Sequence, residues 1–165
     1  MNKLGKTLIS GATGTSFMTA ASALMSLIPK EEFREPDQLE KLVGRILPSF
    51  SPRAKVIAGW SAHYGMGMVF AAVYVDLWEK GQIDRSIRNG LVLGAISGLA
   101  GMLIWKATFK LHPLPPNNRK LDFYLQRIPA HIVFAVASTI AYRLTTPHEK
   151  DGRSLNHPKV KVLST

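Results

Sequence analysis

The sequence predicts an all-α fold, a four-transmembrane-helix bundle, and three observations carry that prediction. Residues 7–29 contain no Asp, Glu, Lys, Arg or His, and residues 56–75 contain one such side chain, His63. A helix rises about 1.5 Å per residue, so about 20 such residues cross a hydrocarbon core of about 30 Å. Residues 89–105 and 128–142 form two shorter blocks of the same kind. The formal charge of +10 sits in the connectors, where Lys and Arg meet anionic head groups. The lipid bilayer is therefore the expected partner, and nucleic acid is not.

The first span, about residues 7–28, carries a ridge of small residues along one face: Gly11, Thr15, Thr19, Ser22 and Ser26. Such ridges let helices approach closely in lipid, where apolar side chains alone give little drive to associate. Lys3 and Lys6 ahead of Ala21-Ser22-Ala23 resemble a signal peptide, but the apolar run continues through Leu24, Met25, Leu27 and Ile28, as in an uncleaved span. In the long connector that follows, Leu39, Leu42, Val43, Ile46 and Leu47 recur at helical spacing after Pro36. They predict a short amphipathic helix at about 37–47, either at the membrane interface or packed over the bundle as a plug.

The second span, about 56–78, stacks Gly59, His63, Gly67 and Ala71 at four-residue steps, with Trp60 and Trp78 at belt positions near its ends. Asp76 in its last turn is expected to be wet, or paired with Lys80 or Arg88. The third span, about 87–109, stacks Gly90, Gly94, Gly98 and Gly101, glycines that mark close backbone approach. A Pro-rich connector from His112 ends it. The fourth span, about 128–144 with Leu121 as an alternative start, has Pro129 in its first turn or as a kink and carries Ala130, His131, Ala135, Ser138 and Tyr142 on its small face. Residues 1–146 thus form one membrane domain, and 147–165 a basic, flexible tail.

Aligning the second and fourth spans without a gap pairs Ala62-His63 with Ala130-His131 and Tyr74 with Tyr142. The match suggests two tandem helical hairpins related by a pseudo-twofold axis along the membrane normal. Both histidines then lie toward the same face, within the first two turns of their spans. Tyr74 and Tyr142 read as interface anchors on the other face. The stretch Gly59-Trp60-Ser61-Ala62-His63 with Phe70, Ala71 and Tyr74, then the Gly-rich third span, then Ala130-His131 and Tyr142, resembles YagU-like membrane proteins of unknown function. That resemblance implies a multi-pass helical bundle in a bacterial inner membrane and transfers no catalytic residue.

The chemistry open to the chain is narrow. It has no Cys, which removes disulfides, thiolate metal sites and cysteine nucleophiles. Ile9-Ser10-Gly11-Ala12-Thr13-Gly14 resembles a dinucleotide-binding turn, but it lacks the third glycine and any strand–helix alternation. No carboxylate pair lies within a span, so no hydrolase is indicated and no cofactor is called for. His63 and His131 are the candidate polar or ligand site. Two imidazoles on facing helices suit proton relay in a small transporter or channel, or ligation of a haem or another metal; alternatively each bonds a neighbour and locks the bundle. The leading expectation is a structural or accessory membrane component that self-associates through its glycine faces, as a homo-oligomer or in a larger membrane complex. The connectors on the two sides hold 10 and 11 Lys and Arg. The basic leader, the Lys80–Arg88 turn and the tail place both termini in the cytoplasm.

Overall fold

A computed structural model describes residues 1–27, 33–115 and 120–146; the expected tail at 147–165 lies outside them. The described residues form five helices: α1 (Lys3–Ser26), α2 (Glu35–Ile46), α3 (Pro52–Glu79), α4 (Ile87–Leu111) and α5 (Lys120–Thr145). Side chains set the starts. Asn2, Ser51 and Ser86 accept from the amides of Gly5, Ala54 and Asn89, satisfying donors that a helix leaves open at its N-terminus. In α2, Pro36 occupies the first turn, where its missing N–H costs nothing, and Asp37 and Arg45 complement the helix dipole at either end.

Among the described residues three helices, not four, are long and apolar enough to cross a membrane: α3, α4 and 121–145 of α5. The 24-residue α1 has sufficient length, but eight Ser and Thr between Thr7 and Ser26 dilute its apolar content. Half of those hydroxyl residues are buried. Ser10, Thr15 and Ser22 are buried, whereas Leu4, Leu8, Phe17 and Leu24 face out. In the other long helices small and polar residues share the contacts with aromatic side chains such as Trp78, Trp105 and Phe134, while Ile57, Val69, Val92, Leu99, Leu103 and Leu125 are exposed. So many large apolar side chains on the exterior are rare on a chain that meets only water.

The close helix pairs are α4 with α5, α1 with α5, α1 with α3 and α2 with α3. Both hairpin pairs of the duplicated arrangement are present. A twofold axis would also match the α1–α5 pair with an α4–α3 pair, and that pair is not among the close ones. Instead α3 and α4 meet through side chains, Tyr74 bonding the Ser97 hydroxyl at 2.6 Å and the Leu93 carbonyl at 3.3 Å. Tyr74 and Tyr142 are therefore buried rather than interface anchors. Trp78, expected in the belt, also packs inside, 4.7 Å from the Tyr142 ring. Asp76 pairs with Lys80 and additionally with Lys3, at 2.7 and 2.6 Å.

The glycines expected to drive self-association are occupied within the chain. A Cβ on Gly94 or Gly98 would lie 2.5 or 2.7 Å from the Cα of Ile132 or Ile128 in α5, so α4 and α5 touch backbone to backbone. Gly90 meets Thr139 and Gly101 meets the His131 ring. Gly11 faces Met68, and Gly67 faces Thr15. Gly59 meets the α2 backbone at Pro36 and Glu40, which seats α2 directly on α3. Of the two places expected for the amphipathic helix, α2 takes the one against the bundle, with Glu35, Pro36, Gln38 and Leu42 buried.

Gly94→Val should push α4 off α5 and lower stability by about 1–3 kcal/mol, because the neighbour is backbone and cannot rotate away. Gly65→Ala, where a Cβ meets nothing within 4 Å, should instead raise stability by up to about 1 kcal/mol. Unfolding in detergent, followed by circular dichroism, separates the two.

Candidate functional site

The helices begin earlier than the apolar blocks suggest. α3 starts at Pro52 and α5 at Lys120, so His63 and His131 each lie eleven residues inside their helices, about 16 Å along the axis. α5 thus takes the earlier of its two expected starts, and Pro129 is internal to it rather than in its first turn. The early start also brings Arg127 into the helix and wholly into the interior.

Arg127 and Glu35 organise the site. Arg127 Nη1 donates to Glu35 Oε1 at 2.5 Å, and Nη2 donates to the Phe33 carbonyl at 2.6 Å and to Gln126 Oε1. Its Nε donates to the Phe123 carbonyl at 3.2 Å, and the guanidinium lies 4.2 Å from the centre of the Phe123 ring. Four of its five N–H groups are thereby placed. Glu35 accepts twice more, from Trp105 Nε1 at 3.0 Å on Oε1 and from His63 Nδ1 at 3.1 Å on Oε2. From Gln126, Nε2 donates to the Ser22 hydroxyl at 3.0 Å. All five helices therefore converge on one buried ion pair.

Burial by itself would push the Glu35 carboxyl up. The charge of Arg127 and the hydrogen bond from His63 outweigh it and hold the carboxyl well below the usual carboxylate range. Facing a carboxylate, His63 Nδ1 must carry a proton. Its Nε2 lies 2.8 Å from the Thr19 hydroxyl, whose oxygen is also 2.8 Å from the Thr15 carbonyl. The single hydroxyl proton serves one of them. With neutral His63, Thr19 donates to Nε2; with the imidazolium, Nε2–H donates to Thr19 and Thr19 to Thr15. The site tolerates either form by rotating one hydroxyl.

Carboxylate, imidazole and hydroxyl in this order match the form of a nucleophilic triad. Thr19, however, lines neither of the two cavities that reach His63. One is a void of about 10 Å³ bounded by Glu35, His63, His131, Phe70 and Phe134, near the lower limit for a single water. The other is a cleft of about 140 Å³ bounded by Glu35, His63, Leu39, Met66, Trp105 and Thr108. The structure thus brings His63 and His131 to opposite sides of one small void. His131 Nδ1 donates to the Arg127 carbonyl at 2.9 Å, and its ring packs edge-on against Phe70. A porphyrin does not fit between the two imidazoles. His63, His131 and Glu35 form no cluster suited to a metal among the described residues.

His112 is a separate fastening. Its Nε2 donates to the Leu42 carbonyl at 3.1 Å and its Nδ1 accepts from the Leu114 amide, tying α2 to the end of α4.

The arrangement defines an all-helical protein, with three helices able to cross a membrane, closed at one end by a buried Glu–Arg–His–Trp cluster. No family model matches the chain, and neither a curated protein nor a solved structure is significantly similar to it.

Arg127→Met strands the Glu35 carboxylate and should cost about 3–5 kcal/mol, whereas the double variant with Glu35→Gln should recover part of that loss. Because the folded carboxyl is held below its ordinary value near 4.5, its contribution is complete above that value and is lost as pH falls toward the lowered one. Unfolding midpoints measured from about pH 6 down to about pH 3 should fall in the native chain, with a smaller fall in Glu35→Gln.

Proposed function

We propose that this chain is a multi-pass inner-membrane protein of bacterial type acting as a structural or accessory component. One observation carries the reading: the ionisable side chains inside the bundle are engaged in fastening helices to one another. Glu35 alone is bonded from α3, α4 and α5. The apolar exterior and the three long apolar helices support the membrane location. The YagU-like sequence resemblance points the same way. Since the glycine ridges are used within the chain, self-association or assembly with another membrane protein falls to the exposed apolar faces of α3 and α4.

Photo-crosslinkers at Val69 and Leu99, both exposed, should each trap a discrete larger species in native membranes. Monomer alone at both positions would remove the accessory role.

A second reading is proton-linked transport. It is favoured by the 140 Å³ cleft, which opens onto Glu35 and His63, and by the two hydrogen-bonding states of Thr19. Under the accessory reading, proteoliposomes holding the native chain and the His63→Ala variant should leak protons at the same rate. A pH-dependent flux that His63→Ala abolishes would establish transport instead.

A further inference from the structure

Two hollows on the outer face of α5 adjoin at Ile140, the first of them at the end opposite Glu35. The first, about 320 Å³, is lined by Arg85, Arg143, Thr146, Ile140 and Leu144. The second, about 380 Å³, is a nearly wholly apolar groove between α1 and α5, with Phe17 and Thr13 on one side and Ile132, Val136 and Ile140 on the other. Ile140 belongs to both. The combined groove follows α5 from Ile132 to Leu144, about 18 Å at the rise of a helix. That is close to half of a hydrocarbon core of about 30 Å plus the head-group margin.

The polar end has the chemistry of an anion site. Arg85 is held in place by a 3.3 Å bond from Nη1 to the Thr146 carbonyl and by the Tyr142 ring 6.0 Å away. Arg143 is exposed and one turn beyond Ile140 on the same face. Thr146 Oγ1 is buried without a hydrogen-bond partner among the described residues. Two guanidinium groups and a spare hydroxyl therefore border a hollow that continues into an acyl-sized apolar channel. Both arginines also border an adjoining hollow, but Asp84 lines that one and not the first, so the anion belongs on the Ile140 side.

We propose that this groove binds one anionic phospholipid, its phosphate between Arg85 and Arg143 and one acyl chain along Ile140, Val136 and Ile132. Charge complementarity selects the head group, and the continuity of the two hollows selects a lipid over a free anion. The inference rests on the membrane reading above.

The full chain, purified in mild detergent, is examined by native mass spectrometry with phosphatidylglycerol and with phosphatidylcholine. One phosphatidylglycerol should be retained preferentially. Arg143→Gln should weaken it about fivefold, and Arg85→Gln with Arg143→Gln by more than tenfold. Val136→Trp, which fills the apolar channel and leaves both arginines, should weaken it as well; Lys110→Gln, at the other end of α4, should not. Equal retention of the two lipids, or phosphatidylglycerol retention unchanged in the double Arg variant, overturns the proposal. So does displacement by inorganic phosphate alone, which would mark a free-anion site. Alkaline carbonate extraction of membranes tests the membrane reading separately: a chain left in the pellet that shows no lipid preference loses the lipid site and keeps its membrane location.

Discussion

The fold depends on the Glu35–Arg127 ion pair. Two opposite charges taken out of water lose several kcal/mol of hydration each, and their attraction repays this only when the remaining hydrogen-bonding capacity is met. Here it is met by the Phe33 and Phe123 carbonyls, Gln126, Trp105 and His63. These groups lie on α3, α4 and α5 and just before α2, and His63 and Gln126 also bond Thr19 and Ser22 of α1, so satisfying one pair ties five helices together. Such a pair adds more to the uniqueness of the packing than to its net stability.

The rest of the architecture follows from how closely backbones can approach. Gly94 and Gly98 bring α4 onto α5, and Gly59 brings α2 onto α3, which sets the N-terminus of α2 over the bundle and carries Glu35 inside. Seating α2 closes the Arg127 end with an aromatic wall of Trp105, Phe109 and Phe123 beside Phe33 and Leu42. At the opposite end the fastenings are of another kind. Lys3 and Lys6 of α1 reach Asp76 and Glu79 of α3 through part-exposed ion pairs, which water and salt weaken.

Much of this was legible in the residues themselves. The charge-free blocks gave the positions of the long helices, and the glycine steps marked the contact faces, because both are local patterns repeated at helical spacing. The span count was overstated at α1, whose hydroxyls carry the pattern of a helix face but not the hydropathy of a lipid-facing segment. The histidine pair was located, but its partners were missed. Arg127 sits at the edge of an apolar block and reads as a head-group cation, and Glu35 lies in a charged connector beside Glu32 and Arg34. Nothing local distinguishes an acid that turns inward from its neighbours. The one available signal was balance: a histidine deep in an apolar helix requires a partner, and apart from Asp76 at the far end of the same helix only the connectors can supply a carboxylate.

The 92-residue separation between Glu35 and Arg127 also bears on how the chain is made. A ribosome releases α2 long before α5, so through most of synthesis the acid has no guanidinium to neutralise it and stays hydrated outside the bundle. Burial of Glu35 is complete only with the last helix. A chain truncated before Arg127 displays an unsealed end with a loose amphipathic helix, a form that quality-control proteases can tell from the finished protein.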